Sequence, residues 1–135
     1  MKFLARREHS RAELRARLLP YVHEGDDVEA VLDELEKRNR LSDERAAAQI
    51  VHAQRSRFGV QRITHELRQK GIAEELISVA LPALKETELA AARDVWQKKF
   101  GLAPKDEKEK AKQVRFLQSR GFAFDVIFKV LRLDD

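Results

Sequence analysis

Val60-Gln61-Arg62-Ile63-Thr64-His65-Glu66-Leu67-Arg68-Gln69-Lys70-Gly71-Ile72 decides the architecture, together with Leu76, Ile77, Ala80, Leu81 and Leu84 just after it. Val60, Ile63 and Leu67 fall on one helix face, and the later group falls on one face of a second helix. Gly71 separates the two. It can take the left-handed conformation that ends a helix, which lets Ile72 pack back on Leu67 as in a Schellman ending. The spacing predicts two amphipathic helices joined by a tight turn.

The pattern recurs. Moved forward by 50 residues, Leu67, Gly71 and Ile72 fall on Leu117, Gly121 and Phe122, and Leu76, Ile77, Ala80 and Leu81 fall on Val126, Ile127, Val130 and Leu131. Moved back by 49, Ile63, Leu67, Ile77, Ala80 and Leu81 fall on Leu14, Leu18, Val28, Val31 and Leu32. A unit this small cannot bury its apolar face alone, so stacked copies are expected. A longer helix precedes each pair. Residues 43–57 are Ala-rich (Ala46, Ala47, Ala48, Ala53), and residues 86–100 carry Leu89, Ala92, Trp96 and Phe100 at helical spacing. Each ends on an aromatic followed by Gly, at Phe58-Gly59 and Phe100-Gly101. Ser10 with Glu13 fits a capping box, Ser42 or Asp43 can cap the next helix, and Asn39 suits a left-handed terminator.

The expectation is an all-α protein of nine helices. They form three tandem three-helix repeats, over residues 1–40, 41–85 and 86–135, in an elongated, curved array. The first repeat is the least regular. Its turn, Pro20-Tyr21-Val22-His23-Glu24-Gly25, is longer and lacks the Gly–apolar pair.

Composition points the same way. Of 135 residues, 43% are hydrophobic and 37% charged, against a usual quarter charged, which suits thin amphipathic layers. Only 5 Gly and 3 Pro interrupt the chain. There is no Cys, which excludes disulfides, thiol nucleophiles and cysteine metal sites. The opening Met1-Lys2-Phe3-Leu4-Ala5-Arg6-Arg7-Glu8 turns charged too soon for a signal peptide. No apolar run approaches the roughly 20 residues of a membrane span. A reducing, cytoplasmic setting without membrane contact is expected.

Net charge is only +4, but it is unevenly spread. Residues 24–44 carry nine acids and three bases, residues 52–70 five bases and one acid, and residues 93–120 nine bases and four acids. The acidic stretch reads first as a solvated helix face, and second as a surface that meets a basic partner or stays off DNA. Among the bases, Arg55, Arg57 and Arg62 flank Phe58-Gly59, and Arg68 and Lys70 close the following helix. Lys98 and Lys99 precede the second Phe-Gly, while Lys108, Lys110, Lys112 and Arg115 lead to Arg120. Cations at helix C-termini gain roughly 0.3–1 kcal/mol each from the helix dipole, which accounts for Lys70, Lys98, Lys99 and Arg120 on structural grounds. Arg62, Lys110 and Lys112 lie early in their helices, where the dipole is adverse, so these three weigh toward partner contact. Phe100, Phe116, Phe122, Phe124 and Phe128, with Trp96, read as core rather than as stacking platforms for bases.

No catalytic constellation emerges. His9, His23, His52 and His65 show no metal-ligand spacing and read as structural or surface residues. Gly59 and Gly71 are isolated punctuation rather than a phosphate loop. No cofactor is expected, and no enzyme.

The order of motifs resembles the RecX family. Arg7-Glu8-His9-Ser10-x-x-Glu13-Leu14 is similar to its opening motif. Leu41-Ser42-Asp43-Glu44-Arg45 and Arg55-x-Arg57-Phe58-Gly59 are similar to its central signature, continued by Arg62-Ile63-x-x-Glu66-Leu67-x-x-Lys70-Gly71-Ile72. Lys98-Lys99-Phe100-Gly101 and Arg120-Gly121-Phe122-x-Phe124-Asp125-x-Ile127 match the later part. The resemblance spans nearly the whole chain. Its departures are Ala46 where the family usually has an aromatic, Val60 where it usually has Pro, the 20–25 turn, and a missing N-terminal extension that would leave a short first helix. The resemblance implies three three-helix repeats without a catalytic site. It also implies a regulatory protein of DNA repair, recombination and the SOS response that lodges in the groove of the RecA filament. There it typically lowers ATPase and strand exchange. The partners implied are that filament and single-stranded DNA, weakly on its own; a monomer is expected, though not from the resemblance. The partner-contact candidates are Arg55, Arg57, Arg62, Arg68, Lys70, Lys98, Lys99, Lys110, Lys112, Arg115 and Arg120. Two other readings stay open. One is a general nucleic-acid-binding domain of helix-turn-helix type, although no single helix collects base-reading Arg, Asn and Gln. The other is an enzyme, which lacks an acid cluster with metal spacing.

Overall fold

Helix starts are set by short polar side chains. Ser10 accepts the Glu13 N–H at 3.1 Å while the Glu13 carboxylate accepts the Ser10 N–H at 3.1 Å, a complete capping box. Asp27, Ser42 and Asp106 accept the N–H three residues on, at 3.1, 3.2 and 2.8 Å. These four caps open α1 (Arg11–Leu18), α2 (Val28–Lys37), α3 (Asp43–Gln54) and α6 (Glu107–Ser119) in the computed structural model, which describes residues 7–132. The remaining helices are α4 (Val60–Gln69), α5 (Glu74–Lys99) and α7 (Phe124–Leu131), with a 3-10 turn at Leu19–Tyr21. Among the described residues there is no strand.

Helix ends follow the expected grammar. Asn39 (φ 59°), Gly71 (φ 76°) and Gly121 (φ 88°) are left-handed. The Ile72 N–H donates to the Leu67 carbonyl at 3.0 Å, and the Phe122 N–H to that of Leu117 at 3.3 Å. Both are Schellman endings with the apolar residue folded back into the core.

Three cores line up along the chain. Leu14, Leu32 and Leu41 form the first. Ala46, Ile63, Leu67, Ile72, Ile77 and Leu84 form the second. Ala92, Leu117, Phe122, Ile127, Val130 and Leu131 form the third. Among the described residues, seven α-helices replace the nine expected, for two reasons. The helices expected near 76–84 and 86–100 are one helix, α5, 26 residues long. No glycine falls between Leu84 and Leu89, the Thr87 hydroxyl there donates back to the Ala83 carbonyl instead of capping a new helix, and Pro82 inside the helix lies on an exposed side, so nothing stops propagation. One helix thus carries Ile77 and Leu84 into the second core and Ala92 into the third. In addition, the short first helix expected at the N-terminus falls largely on residues 1–6, outside the described residues.

Two further readings need correction. Phe124 and Phe128 are not core: they are 52% and 36% exposed, and their rings touch each other at 5.9 Å. They lie on the outward side of a helix whose inward side is Ile127, Val130 and Leu131. The acidic stretch is partly an internal counter-surface rather than simply a solvated face. Arg11 pairs with Asp33 at 2.8 Å and with Glu36, and Arg15 donates to Glu29 at 2.9 Å, so α1 neutralises much of α2. Trp96, half-buried, packs on the third core as expected and donates to Gln113 at 2.9 Å.

The first and second units meet at a charge-balanced joint. The Ser10 hydroxyl donates to the Lys70 carbonyl, and the Glu13 carboxylate meets Arg7 at 2.8 Å and Lys70 at 3.3 Å. Burial works to raise the Glu13 pKa. The Arg7 guanidinium, the Ser10 N–H and the Lys70 ammonium together outweigh it and hold the carboxyl at about 2. A depressed carboxyl contributes stability that is whole above its unfolded value and is lost as pH falls through the folded one. Acidification from pH 5 toward 2 is therefore expected to remove about 1–2 kcal/mol from this joint, less than the shift alone implies because Arg7 is partly exposed. Thermal midpoints measured across that range should fall for the natural chain. They should start lower and stay flatter for Glu13→Gln.

Candidate functional site

The joint between the second and third units is built on the same plan with different charges. Gly59 is the N-cap of α4 and has no side chain to cap it. Its N–H donates to the Arg120 carbonyl at 2.8 Å, and the Gln61 N–H donates to the Gly121 carbonyl at 3.2 Å. The two backbones are so close that a Cβ on Gly59 would collide with the Gly121 carbonyl, and a Cβ on Gly121 with Arg62. The glycine at 59 reflects this approach and not its own conformation, which is ordinary extended backbone (φ −81°, ψ 173°).

Glu88 completes the joint from α5. It is 7% exposed, and its carboxylate accepts the Val60 N–H at 2.8 Å, doing for α4 what a cap side chain does elsewhere. Burial pushes its pKa up, the Val60 N–H opposes that, Asp125 adds to the rise and Lys85 offsets it. A raised carboxyl favours folding at low pH and gives up stability as pH rises through its folded value. Glu88→Gln keeps the acceptor and removes the buried charge, so it is expected to match or exceed the natural chain in thermal midpoint at pH 8. Glu88→Ala and Val60→Pro, which remove acceptor and donor, should each cost about 1–3 kcal/mol in the same melts. Proline at the first helical turn is usually harmless because the lost N–H has no partner. Here it has one.

Aromatic rings and cations gather around this joint. The Arg62 guanidinium lies 3.8 Å from the Phe58 ring centroid, and Arg57 lies 5.4 Å away. Arg120 sits between two rings, 5.3 Å from Phe58 and 5.2 Å from Phe116. Lys99 approaches Phe116 at 5.3 Å, and Phe100 meets Phe116 edge-on at 5.4 Å. Contact with the rings holds the guanidinium groups in place; Arg62 also donates to the Ser119 carbonyl at 3.4 Å, which leaves most of its N–H donors unused. A cleft of about 480 Å³ opens beside them, lined by Ser56, Arg57, Lys98, Lys99, Phe116 and Arg120, with Val95 as an apolar wall. Among the described residues no carboxylate lines it.

The candidates from the sequence divide accordingly. Arg57, Arg62, Lys98, Lys99 and Arg120 come together at this joint. Lys112 lies one turn before Phe116 on the same face of α6 and is exposed, as is Arg115; neither makes an ion pair among the described residues. Lys110 pairs weakly with Glu107 at 3.8 Å. Arg68 is engaged with Glu74 at 2.6 Å, and Lys70 belongs to the first joint. Arg55 lines a different, apolar groove between α3 and α5. Reasoning from sequence missed Phe58 and Phe116 as supports for cations, and Glu88 altogether. The repeat holds the signal for the first of these. Moving back by 49 carries Arg57, Phe58 and Arg62 onto Glu8, His9 and Glu13, and moving back by 50 carries Arg120 onto Lys70. Two acids of the first joint are arginines in the second.

The succession of three helical units, each with its own core along the chain, matches one family along its length. RecX family models match as the first three-helix domain over residues 1–35, the second over 42–81 and the third over 86–131. The chain belongs to the RecX family. Its relatives include the regulatory protein RecX of Leptothrix cholodnii, 50% identical over 135 residues, spanning all of this chain and 86% of that one. That of Ralstonia nicotianae is 42% identical over 130 residues, covering 96% and 82%. The crystal structure of RecX from Lactobacillus salivarius superposes with a TM-score of 0.81 at 18% identity, over 98% of this chain and 89% of that one. A second RecX crystal structure gives 0.81 at 23% identity, over 99% and 69%. These two speak to the fold, and the fold is the expected all-α row of RecX three-helix domains. Membership makes this RecX-family chain a regulatory protein by kinship. Among the described residues no helix is long and apolar enough to cross a membrane, and no three His, Asp or Glu side chains are grouped to hold a metal ion.

Proposed function

We propose that this protein binds the RecA filament assembled on single-stranded DNA and restrains its ATPase and strand exchange without chemistry of its own. It acts as a monomer in the cytoplasm, within DNA repair and the SOS response. The observation that supports this reading is the second joint. Like charges at Arg57, Arg62 and Arg120 gather on Phe58 and, among the described residues, pair with no acid, since Glu88 at the same joint is turned to the Val60 N–H, where the first joint pairs Glu13 with Lys70. Gathering cations without a counter-charge is unfavourable unless an anionic surface meets them. A recombinase–DNA filament offers both acidic side chains and phosphates. With its cleft on a rigid joint between units, the chain presents these cations in fixed relation, as recognition of an assembled polymer requires.

The test is the DNA-dependent ATPase of the cognate recombinase, titrated with this protein from far below stoichiometric amounts. Inhibition at low ratios supports the proposal and points to blocked filament ends. Inhibition only near one-to-one supports it and points to groove coating. No inhibition, with DNA binding retained, overturns it in favour of a general nucleic-acid-binding domain of helix-turn-helix type.

A further inference from the structure

The two joints are the same device, the first charge-balanced and the second cationic, and the difference specifies a ligand. In the first, the carboxylate of Glu13 at the third position of α1 bridges Arg7 and Lys70. In the second, the equivalent third position of α4 is Arg62, and the residue equivalent to Lys70 is Arg120. The N-cap contacts correspond as well: Ser10 donates to the Lys70 carbonyl, and Gly59 to the Arg120 carbonyl. The second joint thus keeps one of the first joint's two cations, has Ser56 where the first has Arg7, and replaces the bridging acid with another cation. Arg62 and Arg120 both lie over Phe58, which brings them side by side; one Arg62 N–H donates to the Ser119 carbonyl at a long 3.4 Å, and its other donors are left for a ligand.

We infer that the second joint takes a carboxylate in trans: it is a binding site for an acidic peptide segment, whose Glu or Asp side chain bridges Arg62 and Arg120 as Glu13 bridges its own partners. The preference for carboxylate over phosphate comes from that internal template. It also comes from the cleft, where Val95 and Phe116 offer apolar wall for a peptide chain and Lys98 and Lys99 stand at its rim for a second acid. The inference rests on the proposed function only for which protein supplies the segment. Binding at this site ties α4 to the end of α6, so it stiffens the second unit against the third.

The absence of cysteine permits a clean experiment, because one introduced thiol reports alone. Ser56→Cys, at the cleft, is labelled with an environment-sensitive dye and titrated with tetraglutamate, inorganic pyrophosphate and hexathymidylate at low salt. Tetraglutamate is expected to bind at least about tenfold more tightly than either phosphate probe. Unlabelled chain carrying Arg62→Glu should compete for tetraglutamate at least about tenfold worse than the natural chain, because it supplies the bridging acid itself. The same substitution should raise the thermal midpoint by about 2–4 °C over Arg62→Gln. That gain should be larger with Arg120 in place than in an Arg120→Gln background, which a merely local helix-dipole effect does not predict. Tighter binding of pyrophosphate or hexathymidylate overturns the inference, as does Arg62→Glu competing normally or showing no coupling to position 120. None of these readouts involves a recombinase. Tetraglutamate binding without ATPase inhibition would remove the proposed function and leave this site standing. Inhibition without tetraglutamate binding would do the reverse.

Discussion

Neutralising the second joint, with Arg57, Arg62 and Arg120 all changed to Gln, is expected to raise the concentration needed for half-inhibition of the recombinase ATPase by at least about a hundredfold. Truncating one partner of a desolvated charge pair typically costs about 2–5 kcal/mol, and each tenfold in affinity is about 1.4 kcal/mol. Three cations at one joint therefore exceed two decades even if each contributes at the low end. Helical content should not change, since none of the three belongs to a core. The controls are on other faces. Arg68→Gln breaks only the exposed pair with Glu74 and should shift inhibition less than about twofold. Lys110 and Lys112 changed together to Gln should fall between, because Lys112 extends the Phe116 face while Lys110 is turned toward Glu107. Raising salt should weaken the natural chain more steeply than the triple variant, which has fewer ions to exchange. Equal half-inhibition for the triple variant and the natural chain would sink the assignment of this joint.

Periodicity made the helices readable because burial selects for it. Ile63, Leu67, Ile77 and Leu84 are all under 5% exposed, and their spacing is what a helix packed on one side produces. Caps and left-handed ends were readable for a similar reason: Ser10, Ser42, Asn39 and Gly71 satisfy local backbone demands that their own side chains, or lack of one, announce. The continuity of α5 was not readable. Between Leu84 and Leu89 the sequence holds no stop signal, but a repeat-based reading divides the chain where the next copy ought to begin. Phe124 and Phe128 were misread because a spacing of four identifies a shared face without saying which face is inward.

The site was half legible. Basic residues near Phe58-Gly59 stand out in a linear chain, yet helix-dipole reasoning set Arg120 and Lys99 aside and singled out Lys110 and Lys112 alongside Arg62. Dipole arguments see one helix at a time. What gathers Arg62 and Arg120 is a contact across 58 positions of sequence, made possible by two glycines whose roles differ: Gly121 is left-handed, whereas Gly59 is small. Glu88 was hidden for the same reason. Its partner is a backbone N–H on another helix, and a backbone donor leaves no mark in the sequence.

Gly59→Ala is expected to destabilise the protein by about 2–3 kcal/mol and to abolish inhibition while leaving helical content nearly unchanged. The sign matters more than the size. Alanine is compatible with extended backbone, and a Gly→Ala change at such a position ordinarily stabilises by about 0.4–1 kcal/mol through the unfolded chain. At residue 59 the added methyl meets the Gly121 carbonyl and the following N–H, which are backbone atoms that cannot swing away. Relief requires the two units to separate. Separation gives up the hydrogen bonds from Gly59 and Gln61, pulls Val60 from Glu88, and parts Arg62 from Arg120. The second and third cores are each closed within their own unit, apart from the shared helix α5, so the helices persist when the joint opens. Trypsin should then cut after Arg57 faster than in the natural chain, because the turn at 55–58 loses its cover. Gly25→Ala is the matched control: it forces a left-handed alanine into open space, costs about 1 kcal/mol of backbone strain, and leaves inhibition intact. Melting curves of the two variants decide the matter. A midpoint for Gly59→Ala at or above that of the natural chain would show that the joint tolerates separation. The cations would then not depend on backbone contact for their alignment.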